Sequence, residues 1–90
     1  MAGSAQYTAG TAPVLVAAAA ARMTAGPAGW FYLTNGTGAT IYAGGPGVSS
    51  SNAPAVATSG SLSGYLFSGD QVYVVTDSGT SVVSVLQTGG

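Results

Sequence analysis

Only three side chains in this 90-residue sequence carry a full charge, Arg22, Asp70 and Asp77, so any acid–base or metal chemistry would rest on them. Paired-carboxylate chemistry needs two acids flanking one bond. Asp70 and Asp77 instead occupy turn signatures, Ser68-Gly69-Asp70 and Asp77-Ser78-Gly79-Thr80, where an Asp side chain commonly accepts backbone N–H bonds. Hydroxyls are plentiful, but a Ser or Thr nucleophile needs a base such as His or Lys, and the chain has neither. The α-amino group serves as a base only for an N-terminal nucleophile, and residue 1 is Met. Calcium wants six to eight oxygens, and nothing in the acidic spacing resembles an EF-hand loop. The run Gly44-Gly45-Pro46-Gly47 lacks the Lys-Ser/Thr pair of a phosphate loop and reads as a turn. The expectation is a chain with no catalytic residues, no metal and no cofactor.

What remains is binding. The eight aromatics are Tyr7, Trp30, Phe31, Tyr32, Tyr42, Tyr65, Phe67 and Tyr73. Core packing accounts for about half of them, subunit contact is the next reading, and stacking against sugars is the third. Tyr and Trp are enriched at protein interfaces. Successive side chains of a strand point to opposite faces. Along Trp30-Phe31-Tyr32-Leu33 both faces are therefore bulky, and the same holds along Val72-Tyr73-Val74-Val75 and Val82-Val83-Ser84-Val85-Leu86. One face of each strand fills a core. The other needs a cover, either a second subunit or loops laid over the outside of a closed barrel. Trp30, Tyr32, Tyr42 and Tyr73 are the interface candidates, with Arg22 as a paired anchor or a solvated loop residue.

The elements that must position these residues are short strands. Gly, Ser, Thr and Asn recur between runs of four to seven apolar or β-branched residues, which is the pattern of many strands joined by tight turns. Residues 1–5 are expected to be loose, with a strand near Gln6 to Ala9. Pro13 to Ala19 reads as a strand running into a loop, because five alanines without apolar anchors do not make an amphipathic helix. Trp30 to Asn35 is a strand, Asn35-Gly36 a hairpin turn, and Thr40 to Ala43 its returning partner. Val48 to Pro54 is a polar connection and Ala55 to Ala57 a short strand. Ser61 to Phe67, Gln71 to Thr76 and Ser81 to Gln87 are expected to form an up-down-up meander. The result is an all-β fold in a single domain over 1–90: a compact β-sandwich or jelly-roll-like barrel of about eight short antiparallel strands.

Composition bounds the partners. A chain this short buries a marginal core, and without Cys or His it has no disulfide or metal to supplement it, which leaves oligomerisation or docking. Charged residues are 3% of the chain, against ~25% in ordinary soluble domains. With 47% hydrophobic residues and strand patterning, that composition points to order and to a neutral surface packed against other protein surfaces. One basic residue cannot neutralise the phosphates of a nucleic acid or hold an anionic membrane surface. Ala12 to Ala21 is half the length of a membrane span, and the residues before it hold no basic side chain of a secretory leader.

From Trp30 onward the motifs follow an order. Leu33-Thr34-Asn35-Gly36 leads to Ile41-Tyr42-Ala43-Gly44-Gly45, then Val48-Ser49 and Ser51-Asn52 before Pro54. A turn at Gly60 precedes Leu62 to Phe67, Gly69-Asp70-Gln71-Val72-Tyr73 follows, and Ser78-Gly79-Thr80 opens Val82 to Leu86. This order resembles small capsid decoration or head-fibre-like structural proteins of tailed bacteriophages of high-GC, actinobacterial-type hosts, over roughly two-thirds of the chain. The stretch Ala17 to Ala28 departs from the pattern, and Trp30-Phe31-Tyr32 stands where related chains often carry charge. The resemblance implies a virion protein on the capsid surface, a homo-oligomer, often a homotrimer, that contacts the major capsid protein and stabilises the shell. A rival expectation is a tail- or fibre-associated module that binds host-surface carbohydrate.

Overall fold

A computed structural model describes residues 2–21, 23 and 26–89. Eight strands run in chain order: β1 Ala2–Ala9, β2 Val14–Ala18, β3 Pro27–Gly38, β4 Ile41–Gly44, β5 Ala55–Val56, β6 Ser61–Phe67, β7 Gln71–Thr76 and β8 Ser81–Gly89. They form two four-stranded antiparallel sheets, β1-β8-β3-β6 and β2-β7-β4-β5. Pairs β1–β8, β2–β7, β3–β6 and β4–β5 nest inside one another, as when one long hairpin rolls up on itself. That nesting is the jelly-roll form of the β-sandwich. No helix occurs among the described residues.

Alternation along the strands builds the core. Phe31 and Leu33 of β3, Val83 and Val85 of β8, and Leu66 of β6 point inward from the first sheet. Val16 and Ala17 of β2, Ile41 and Ala43 of β4, Val56 of β5 and Val74 of β7 meet them from the second. Phe31 pairs across the ladder with Gly64, and a Cβ on that glycine would lie 3.2 Å from the Phe31 ring. The missing side chain makes room for the aromatic.

Three expectations are corrected. Asn35-Gly36 is not a hairpin turn, because β3 continues to Gly38, and β3 and β4 lie in different sheets. The two residues between Asn35 and Gly38 form a bulge against β8. The glycines are needed for close approach: a Cβ on Gly36 would fall 2.7 Å from the Val82 carbonyl oxygen, and one on Gly38, at φ 122°, 2.3 Å from that of Thr80. Nor do β6, β7 and β8 form a meander. β7 crosses to the second sheet, where Val74 supplies core opposite Val83 and Val85. Finally, residues 2–5 are part of β1 rather than loose, because β8 is long enough to pair them, from Ala2 opposite Thr88 to Ala5 opposite Val85.

The loops β1–β2, β3–β4, β5–β6 and β7–β8 meet at one end of the sandwich, around Asn35. This side chain is 1% exposed. Its amide donates to the carbonyls of Val56 at 2.9 Å and Ala39 at 3.0 Å, and its oxygen accepts from the Ser81 hydroxyl. Its backbone N–H donates to the Gly60 carbonyl, and its carbonyl accepts from the Ser59 N–H. At the opposite end Gln87 of β8 bridges the sheets, its amide donating to the Ala18 carbonyl at 2.6 Å and accepting from the Ala18 N–H at 3.3 Å.

Candidate functional site

The side chains on the outer face of the β1-β8-β3-β6 sheet are fixed by register. Trp30 lies between Thr88 and Tyr65, and Tyr32 between Leu86 and Ser63. Residues paired in this way share a face and pack side by side. Trp30 is half-buried, while Tyr32, Tyr65, Phe67 and Leu86 are exposed, Tyr65 by 65% and Phe67 by 48%. The rings of Trp30 and Tyr32 stack with centroids 6.2 Å apart and planes 22° apart, which limits how Tyr32 can turn. Around this band stand Ser4, Gln6 and Thr8 of β1, Ser84 of β8, Thr34 of β3, and Ser61 and Ser63 of β6. Gln6 reaches Ser84 across the ladder, its amide 3.4 Å from the hydroxyl. Among the described residues no Asp, Glu, Lys or Arg lies on the face.

The second sheet is covered differently. Tyr42 and Tyr73 lie on its outer face, half-buried, with Tyr42 opposite Val75 and Tyr73 between Leu15 and Gly44. Val75 is itself buried although it points away from the core. The loop from Gly45 to Pro54 folds back here: Val48 is buried, and a Cβ on Gly44 would meet Val48 at 3.3 Å and Ala53 at 3.6 Å. Asn52 holds the loop's shape, accepting from the Ser49 N–H at 2.8 Å and donating to the Gly47 carbonyl at 3.0 Å. The second sheet thus brings its own cover, and among the described residues the first does not.

The structure therefore separates the sequence candidates. Trp30 and Tyr32 lie together on the first sheet, Tyr42 and Tyr73 on the far side of the sandwich, and Arg22 lies outside the described residues. Tyr65, Phe67 and Leu86 join Trp30 and Tyr32 through the ladder pairings, and only the shared face of Tyr65 and Phe67 was legible. In Ser61-Leu62-Ser63-Gly64-Tyr65-Leu66-Phe67, a period of two puts Leu62 and Leu66 on one face and Tyr65 and Phe67 on the other.

The two acids do not form a site. Asp70 and Asp77 flank the six residues of β7 at its opposite ends, roughly 20 Å apart at the rise of an extended strand. Paired catalytic carboxylates stand about 5–9.5 Å apart. Asp70 closes the β6–β7 turn, its carboxylate accepting the Phe67 N–H at 2.9 Å with Gly69 at φ 79°. The β7–β8 turn is closed by the Thr76 hydroxyl donating to the Gly79 carbonyl at 2.8 Å, not by Asp77. Among the described residues no group of three His, Cys, Asp or Glu gathers in a way that would hold a metal ion. Comparisons of the chain with protein-family models, with curated proteins and with solved structures give no match.

Proposed function

We propose that this protein is a non-enzymatic structural component of a bacteriophage virion, which decorates and stabilises the exterior of the capsid as a homo-oligomer. The observation that carries the reading is the uncovered, uncharged face of the first sheet, with Trp30, Tyr32, Tyr65, Phe67 and Leu86 in one band. Contiguous apolar patches of this kind mark protein contacts, and aromatic residues with depleted charge are the signature of an interface core. A chain that is 3% charged has little to keep its copies apart, and a small domain gains stability from anything that binds only its folded form. Its partners in this reading are its own copies and the major capsid protein; nucleic acid and membrane play no part.

A second reading, a tail- or fibre-associated module that binds host-surface carbohydrate, draws on one feature. A shallow depression on the same face is lined by Ser4, Gln6, Tyr32, Thr34, Ser84 and Leu86, neutral hydroxyls and an amide beside a ring. Copy number separates the two. Purified particles are digested with chymotrypsin, since Arg22 is the one trypsin site, and quantified by mass spectrometry against a labelled standard. Hundreds of copies per particle are expected. A handful moves the assignment to the tail or fibre, and none removes the protein from the virion.

A further inference from the structure

We propose that copies of this chain join edge to edge, β1 of one copy pairing with β6 of the next, so that their first sheets run together into a closed ring. The inference rests on the homo-oligomeric part of the function proposed above and says how the copies meet. Sheet edges in natural proteins are blunted by charge, Pro, bulges or shortness, because an open edge is a template for another strand. The second sheet follows that rule at both edges. β5 has two residues, and β2 is preceded by Pro13 and broken by a bulge between Leu15 and Ala17. The first sheet does not. β1 runs eight residues without a register shift, β6 runs seven with the one shift in its ladder, between Pro27 and Gly29, falling on β3, and neither edge strand holds a charge or a Pro.

Direction and face agree with pairing between these two edges. All three ladders of the sheet are antiparallel, so β1 and β6 run in opposite senses. A copy set alongside in the same orientation therefore brings its β6 antiparallel to β1 and continues the alternation. One register engages all seven residues of β6, with Thr8, Gln6 and Ser4 opposite Ser61, Ser63 and Tyr65 of the neighbouring copy. Those six side chains all lie on the outer face, so outer meets outer, as a continuous sheet requires. Two β1 strands meeting about a two-fold axis would leave both β6 edges open. Head-to-tail pairing that closes leaves none.

The chain has no Cys, which makes the test direct. Within one copy β1 and β6 are three strand spacings apart, about 14 Å, while a disulfide spans at most about 7 Å between Cα atoms. Any disulfide in the double variant Gln6→Cys/Ser63→Cys is therefore between copies, and a bismaleimide link within one copy adds no band to the ladder. Oxidation, or a short bismaleimide to tolerate a neighbouring register, is expected to give a covalent ladder ending at the mass found by native mass spectrometry. Each single variant is expected to stay monomeric on a denaturing gel. Dimers from Gln6→Cys alone would show β1 meeting β1 and overturn the proposal, as would a ladder without an upper limit. A native oligomer with no link in any variant would overturn edge pairing and leave the homo-oligomer standing. A native monomer at every concentration would overturn both.

Discussion

Replacing Asn35 by Ala tests whether the loop end of the sandwich is held by one buried amide. The side chain is 1% exposed and makes three hydrogen bonds, to the Val56 carbonyl, to the Ala39 carbonyl and from the Ser81 hydroxyl. A net contribution of about 1 kcal/mol for each puts the loss near 3 kcal/mol, and the cavity left behind adds to it. Against a total stability of about 5–15 kcal/mol that is a large share. At about 4–8 °C per kcal/mol for a domain this size, melting should fall by about 12–24 °C, read by circular dichroism. Asn35→Asp isolates the donors, since it keeps the shape and turns the amide nitrogen into an oxygen facing two carbonyls. Burial beside acceptors raises that carboxyl's folded pKa above its unfolded value of about 3.9. The folded form then binds more protons, so the Asp variant should gain stability as pH falls through its folded pKa, with the gain complete below the unfolded one. An Ala variant within about 1 kcal/mol of the parent, or an Asp variant indifferent to pH, would refute the account.

The other expectations concern the end of the first sheet away from Asn35. Trp30→Ala should weaken assembly more than folding, because Trp30 is half-buried on the outer face and stacked on Tyr32 rather than set in the core. Thermal melting of the dissociated chain and particle binding measure the two losses, and equal losses would place Trp30 functionally in the core. Gln87→Ala removes both bonds to Ala18 that tie β8 to β2 across the sheets. The expected cost is about 2 kcal/mol, seen as a urea midpoint lowered by roughly 1 M at an unchanged slope.

Strand identity was legible where turn residues and β-branched runs alternate, and the paths between strands were not. Gln71 to Thr76 is a strand under either topology, since its apolar residues serve both faces. Which sheet it enters depends on where Val74 finds Val83 and Val85, a contact no local pattern encodes. Asn35-Gly36 shows the same limit from the other side. An Asn before a Gly is ordinary hairpin vocabulary because both tolerate positive φ. Here the Asn serves as a buried amide, and the glycines admit the Val82 and Thr80 carbonyls of the neighbouring strand. The aromatic face was half legible. Trp30 and Tyr32 stood out, whereas Tyr65 joins them through a ladder pairing that only the fold supplies. Tyr42 and Tyr73, alike in residue type, went to the far sheet for the same reason.

The two sheets are finished to different degrees, and that difference bears on function more than any single residue does. The second sheet carries a bulge, a two-residue edge strand and a loop whose Val48 and Ala53 lie against its outer face. Each device closes that sheet to further pairing or packing. A chain that supplies such devices on one side, while on the other its register shifts fall on the interior strand β3 and its edge strands run eight and seven residues, has an open side fitted to contact. Charge would be the simplest way to keep that side apart, and it is absent even though Ser4, Gln6, Thr34, Ser63 and Ser84 offer positions where Lys or Glu would sit without disturbing the core. A charge there would have to be paired or desolvated on contact, at a cost that neutral hydroxyls and amides do not carry. Under the proposed function, the neutrality of the first sheet follows from the surfaces it would meet, and the small core beneath it from the stability those surfaces would add.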